Sequence, residues 1–128
     1  MQPIVFHFVV IGMEELKIEQ RTTHCLIQPQ YSTLSTPQAA ALKAALQTIF
    51  AEGNKNLLLD LGNISVLDSS GLAVILIANK TCHLQGGKLV IANAGQHIID
   101  VIHISQLQRI LNLSPSIEQG EHQFMTAA

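Results

Sequence analysis

The sequence lacks tryptophan and is poor in charged residues. Its 128 residues include no Trp, one Tyr and four Phe, while 48% are hydrophobic and only 12% are charged. This length suffices for one domain with a single core, and the composition requires that core to be largely aliphatic. The net charge is −2, and the seven Lys and Arg residues are scattered. Nucleic acids bind to a basic face, so we expect no direct contact with DNA or RNA.

Cysteine and histidine occur without the spacing of a disulfide framework or a metal site. Cys25 and Cys82 are single cysteines with no Cys-x-x-Cys motif, and nothing else is typical of a secreted protein. We therefore expect reduced thiols and a cytoplasmic location. His97 and His103 are far apart for a shared metal, and no His-Glu-x-x-His motif occurs. These patterns predict no metal site and no cofactor.

The motifs of common catalytic sites are also missing. Neither Gly-x-Ser-x-Gly nor Gly-x-x-x-x-Gly-Lys-Ser/Thr occurs, and Gly86-Gly87-Lys88 precedes a predicted strand rather than a helix. Asp60 and Asp68 could be a carboxylate pair, but a strand end and a helix start are positions where Asp is commonly structural. No histidine is predicted to lie beside Ser70. We therefore predict that the protein is not an enzyme and has no catalytic residues.

Residues 1–13 form an apolar segment. It is too short to span a bilayer, which needs about 20 residues. It also lacks the positive charge of a signal peptide, because no Lys or Arg precedes Lys17. Three interpretations stay open: an extra edge strand or tail, a strand that covers a sheet edge or pairs with another copy in a homodimer, and an extension upstream of a chain that begins at Met13. We treat residues 1–13 as an extension and residues 14–128 as the domain.

The rest of the chain is organised around residues 56–85. Residues 56–61 form an apolar run that predicts a strand buried on both faces. Residues 72–78 are apolar nearly all round, and the run continues to residue 84 and stops at two glycines, which predicts a largely buried helix. The Asp-Ser-Ser sequence at residues 68–70 lies at the helix start. It is read either as a plain N-cap or as a place where free N–H groups accept an anion, such as a phosphate on a serine.

Periodicity and turn residues predict the remaining elements. Strands alternating with helices indicate an α/β fold with mainly parallel central strands. The predicted elements are a half-buried strand at 15–19, an antiparallel strand at 24–28 closed by Pro29, a polar loop at 30–36, a helix capped by Ser35 or Thr36 and ended by Gly53, a strand at 88–92, a helix at 96–104, a short strand within 107–113, and a last helix reaching about Phe124.

This order of elements resembles the STAS family, which includes the bacterial anti-sigma factor antagonists. The resemblance covers residues 14–120 and is strongest from Leu57 to Ala92, where an Asp-Ser-Ser-Gly-Leu turn and a Gly-Gly-Lys strand follow in the family order. It implies an α/β fold with a mixed sheet of about four to five strands and about four helices, packed mainly on one face. It also implies that the turn lies near an exposed edge.

The resemblance implies a regulatory module that binds an anti-sigma factor with serine kinase activity. In that family the unphosphorylated protein captures the kinase and frees a sigma factor, and the match implies phosphorylation of Ser70. The neighbouring loop, which in the family carries a Gly-x-Leu-Asp-like element, here reads Pro29-Gln30-Tyr31-Ser32. The partner-binding residues that the resemblance implies are Asp68, Ser69, Gly71, Tyr31 and Ser32.

Two other functions stay open. One is a STAS adaptor that is never phosphorylated and serves as a subunit of a signalling or transport complex. In that case Ser70 would be only a cap, and residues 1–13 would suit a permanent contact. The other is a domain that binds a nucleotide or another anion at the helix start, although the sequence offers no base-reading or ribose-binding residue.

Overall fold

The structure is a computed structural model that describes residues 5–11 and 14–125. A six-stranded mixed sheet forms its centre, and a separate pair of two-residue strands lies beside it. The strands are β1 (Val5–Ile11), β2 (Glu14–Gln20), β3 (Cys25–Pro29), β4 (Thr33–Leu34), β5 (Asn56–Asp60), β6 (Val66–Leu67), β7 (Lys88–Ala92) and β8 (Asn112–Ser114). The helices are α1 (Thr36–Ala51), α2 (Ser69–Leu84), α3 (Gln96–Ile104), a 3-10 turn (Leu107–Arg109) and α4 (Ile117–Met125).

The main sheet has the order β1-β2-β3-β5-β7-β8. The first three strands pair antiparallel, and β3, β5, β7 and β8 pair parallel. The predicted α/β class and parallel centre are therefore confirmed. Five of the six strands lie within residues 14–128, and β1 adds a strand at the edge by pairing along β2. Whether β1 is dispensable for folding, or pairs with another copy, stays a prediction.

Strand β5 lies in the middle of the main sheet, between β3 and β7, and both of its faces are covered. Leu57 and Leu59 belong to the main core, to which β2, β3, β7 and helices α1, α2 and α3 contribute. Leu58 points to the other face, where a smaller cluster packs under Ile117 and Phe124 of α4. Because both faces of β5 are covered, apolar side chains are buried on either side, which explains why the sequence of this strand does not alternate between apolar and polar residues. Three helices thus lie on one face and one on the other, as predicted.

A partly buried cluster of charged and polar side chains joins α4 to the β2–β3 end of the sheet. The Arg21 guanidinium donates from Nε to Glu19 Oε1 at 2.9 Å and also forms an ion pair with Glu121 of α4. These carboxylates, the Glu19 hydrogen bond first, raise the pKa of Arg21. The ring of His24 is buried, stacks on Phe124 at 4.8 Å, and has its Nε2 3.2 Å from Glu121 Oε2. Burial lowers the pKa of His24, although Glu121 opposes that shift.

The structure corrects three local predictions. The polar loop at 30–36 contains strand β4, which pairs with β6. The predicted short last strand within 107–113 is displaced: residues 107–109 form a 3-10 turn, and the strand is β8 at Asn112–Ser114. Helix α2 is not largely buried as predicted, because only five of its 16 residues are buried, while Ile77 is 52% exposed and Leu84 is 73% exposed.

Glu19 is a fourth departure from the expected pattern. The alternation in β2 placed it on the polar side of a half-buried strand, but it is only 6% exposed. The reason lies in the Arg21 guanidinium, which bonds to Glu19 and also pairs with Glu121 of α4 on the same side of the sheet. Among the described residues, no helix is both long and apolar enough to cross a membrane.

Candidate functional site

The short strands β4 and β6 bring the starts of α1 and α2 together. Thr33 pairs with Val66 and Leu34 with Leu67, in parallel register. Because each strand leads directly into a helix, the two helices begin side by side. The Ser32 carbonyl extends the pairing by accepting from the backbone N–H groups of Ser65 at 2.7 Å and Val66 at 3.1 Å.

Asp68 caps α2. Its Oδ1 accepts hydrogen bonds from the backbone N–H groups of Ser70 at 2.9 Å and Gly71 at 3.2 Å. Its own backbone N–H donates to the Leu34 carbonyl at 3.3 Å, which ties the cap to β4. The sequence left open either a plain N-cap or free N–H groups that accept an anion; the N–H groups of Ser70 and Gly71 are not free, because the Asp68 carboxylate occupies them.

Gly71 allows the close contact between α2 and β4. A Cβ at this position would lie 2.5 Å from the Leu34 carbonyl oxygen and 2.8 Å from a methyl of Leu67. No side chain fits without moving backbone. Gly71 is buried, so its contribution to the site is the position of the turn rather than a surface that a partner can touch.

The Ser70 hydroxyl lies between the two helix starts. Its Oγ is 3.1 Å from Oγ1 of Thr36, the first residue of α1, and either hydroxyl can donate. Ser70 is half-buried, while Asp68, Ser69 and Thr36 are exposed. The sequence pointed to Thr36 only as a candidate cap, and Ser35 takes that place. The contact with Ser70 spans 34 residues of sequence, so no local pattern signals it.

The two predicted loop residues differ in their surroundings. Ser32 is exposed and joins the site through its backbone contacts with Ser65 and Val66. Tyr31 is half-buried and packs against the main core. The structure thus brings Asp68, Ser70 and Gly71 into one turn, with Ser32 beside the strand that precedes the turn.

Asp60 does not pair with Asp68. Its Oδ1 accepts from the Gly62 backbone N–H at 2.8 Å and from Asn93 Nδ2 at 3.1 Å, and its Oδ2 accepts from Gln28 Nε2 at 3.0 Å. These bonds connect the carboxyl ends of β3, β5 and β7. The carboxylate therefore has a structural task at this edge of the sheet, and the two aspartates do not form an acid–base pair.

The two cysteines are free and buried. Burial raises the pKa of Cys25 to about 12 and that of Cys82 to about 12. Thiols of this kind are inert at neutral pH, since the thiolate is the reactive form. Within residues 5–11 and 14–125, no group of three or more His, Cys, Asp or Glu side chains could hold a metal ion.

Comparisons with known proteins agree on one family. The model of the STAS domain matches residues 15–120. BtrV of Bordetella bronchiseptica, named as an anti-sigma factor antagonist, is 29% identical over 111 residues, covering 87% of this chain and 92% of that protein.

Solved structures share the fold. An anti-sigma factor antagonist from Mycobacterium paratuberculosis superposes with a TM-score of 0.76 at 17% identity, covering 97% of this chain and 96% of the other. The anti-sigma factor antagonist SpoIIAA in its unphosphorylated form gives 0.72 at 16% identity, with 88% and 99% covered. The phosphorylated form of SpoIIAA from Bacillus gives 0.64 at 16% identity, with 93% and 99% covered.

Proposed function

Because the chain belongs to the STAS domain family, we propose that it is an anti-sigma factor antagonist whose binding to an anti-sigma factor with serine kinase activity is switched by phosphorylation of Ser70. Relatives with that name or description, and a neighbour solved with and without phosphate, support the proposal. On this proposal the protein binds rather than catalyses, and it works in the cytoplasm where its partner meets a sigma factor.

The proposal rests mainly on the different roles of Asp68 and Ser70 at the start of α2. In an adaptor that is never phosphorylated, Ser70 would be needed only as a helix cap. The carboxylate of Asp68 already satisfies the two backbone N–H groups at this helix start. The Ser70 hydroxyl contributes nothing to that cap, and its partial exposure leaves it within reach of a kinase.

The chemical step is a phosphoryl transfer from ATP. The Ser70 oxygen forms a bond to the γ-phosphorus, the bond to the β-phosphate bridging oxygen breaks, and ADP leaves. The hydroxyl proton passes to a base of the kinase. The product carries about −1.5 to −2 charges beside the exposed carboxylate of Asp68, so the binding surface becomes strongly anionic.

The test begins with the partner. A Ser70→Ala variant, which cannot be phosphorylated, is used to copurify the ATP-binding kinase, and the purified kinase is then incubated with the wild-type protein and ATP. We expect one phosphate, mapped to Ser70 by mass spectrometry, and weaker kinase binding after modification. The Ser70→Ala variant should bind and stay bound in the presence of ATP, and Ser70→Asp should bind weakly.

Ser69→Ala is the matched control. Ser69 is the adjacent exposed hydroxyl, so its loss should leave phosphorylation at Ser70 intact. Phosphate on Ser69 alone, or equal kinase affinity before and after Ser70 modification, would refute the switch. A stable complex with no kinase activity and no phosphate would favour the adaptor function instead.

A further inference from the structure

We propose that Thr36 is a positioning residue of the Ser70 site: its hydroxyl holds Ser70 Oγ on the side of α1 and, once Ser70 carries a phosphate, donates a hydrogen bond to a phosphate oxygen. The inference rests on the proposed phosphorylation of Ser70. Its basis is the 3.1 Å distance between the two hydroxyl oxygens, which come from different helices.

Once Ser70 is phosphorylated, Thr36 is the member of the pair that can donate the hydrogen bond. In the unmodified protein either hydroxyl can donate to the other. Phosphorylation replaces the Ser70 hydroxyl proton with phosphorus, so Ser70 can no longer donate. Thr36 keeps its proton, and its hydroxyl then faces a group with three strong acceptor oxygens. A hydrogen bond to a charged acceptor is stronger than one between neutral groups.

Asp68 determines the direction that the phosphate takes. Its carboxylate accepts hydrogen bonds from the Ser70 and Gly71 backbone N–H groups, which places negative charge at the start of α2. A phosphate that folded back onto α2 would meet this like charge. Thr36 offers a donor, and the first turn of α1 contains no acidic residue. Repulsion from one side and a donor on the other therefore place the phosphate next to α1.

A titration of the phosphoserine tests this arrangement without a kinase. The full chain is made with phosphoserine inserted at position 70 during translation, and the second pKa of the phosphate is followed by phosphorus NMR. A free phosphoserine has a second pKa of about 6. Hydrogen bonding to the dianion lowers that pKa, so Thr36→Val, which replaces the hydroxyl by a methyl group, should raise it by about half a unit.

Three comparisons make the result specific. Thr36→Ser keeps a hydroxyl and should titrate like the wild type. Thr48→Val removes an exposed threonine hydroxyl from the far end of α1 and should change nothing. Asp68→Asn retains a capping side chain while removing its charge, and should lower the phosphate pKa. This last shift should shrink at about 1 M salt, where screening acts within about 3 Å, whereas the effect of Thr36 should persist.

Equal phosphate pKa values in the wild type and Thr36→Val would overturn the role of Thr36, and so would a Thr36→Ser protein that titrates like Thr36→Val. Thr36 is exposed, and a circular dichroism melt of each variant establishes that the fold is retained. Failure here is separable from failure of the proposed function: a kinase that leaves Ser70 unmodified refutes the function, while an unchanged titration refutes only the role of Thr36.

Discussion

Leu58 and Gly120 provide a quantitative test of how α4 packs on the sheet. Leu58 is fully buried in the middle of β5, in the cluster that lies under α4. Leu58→Ala removes most of that side chain from the smaller core, which α4 covers. The expected loss of stability is about 2–5 kcal/mol, because transfer energy and a cavity both contribute. A loss under about half a kcal/mol would show that β5 is not part of the core.

Gly120 is the matching position on α4. A Cβ there would lie 2.9 Å from Leu58 Cδ1 and 3.4 Å from Val90 Cγ1. In the wild type, Gly120→Ala gains about 1 kcal/mol of helix propensity but overpacks the contact at a cost of about 1–3 kcal/mol. The net change should lie between neutral and about 2 kcal/mol destabilising. In the Leu58→Ala protein the obstructing methyl is gone, so the same substitution should stabilise by about 1–2 kcal/mol.

A double-mutant cycle with a matched control tests whether the side chains at positions 58 and 120 are in contact. The four proteins are unfolded in urea and followed by circular dichroism, and the coupling between positions 58 and 120 should exceed about 1 kcal/mol. Leu57 is equally buried but belongs to the core on the opposite face, so Leu57→Ala and Gly120→Ala should add within about half a kcal/mol. Additivity in the Leu58 cycle, or equal coupling in both cycles, would refute the described packing of α4.

Two further predictions concern the N-terminal strand and pH. A chain that begins at Met13 should unfold cooperatively, because side chains from β2 through α4 form core clusters on both faces of the sheet. Its mass in solution, from light scattering, would change if β1 pairs between copies. Loss of cooperative melting would contradict the prediction. Burial lowers the pKa of His24 in the folded state, so the unfolded protein binds the proton more readily and stability should fall as pH drops below about 6.5. Glu19, Arg21 and Glu121 face this ring and modulate the effect. Between pH 7.5 and 5.5, the free energy of unfolding in urea should fall less for His24→Gln than for the wild type. Equal changes in the two proteins would contradict a role of His24 in the pH dependence.

The sequence predicted those elements whose hydrophobic pattern is long enough to read. Strand β5 and helix α2 are such cases, since apolar runs of this kind allow few interpretations. Residues 107–113 were less readable, because Leu107, Ile110 and Leu111 are spaced like one face of a helix and also fit a short strand. The side chain of Leu111 is buried, while Ile110 stays 56% exposed, and the backbone there forms a turn.

The part of the site that could not be predicted depends on non-local pairing. Strands β4 and β6 have two residues each, too few to show any period. Their pairing nevertheless sets the distance between α1 and α2, and with it the contact between Thr36 and Ser70. The turn around Ser70 was readable from its Asp-Ser-Ser-Gly sequence, whereas its neighbour from the other helix became visible only in three dimensions.

The proposed phosphorylation of Ser70 should change the surface and leave the fold intact. Asp68 holds the start of α2, and Gly71 is packed too closely against Leu34 for the turn to shift. A phosphate on Ser70 should therefore stay at the surface beside α1, where a partner would meet new charge and a group that must be desolvated. An unfavourable contribution of about 3 kcal/mol weakens binding roughly a hundredfold. Amide NMR shifts on phosphorylation of Ser70 should accordingly stay within residues 32–38 and 65–72. Large shifts in β5 or β7 would show that the fold itself carries the switch.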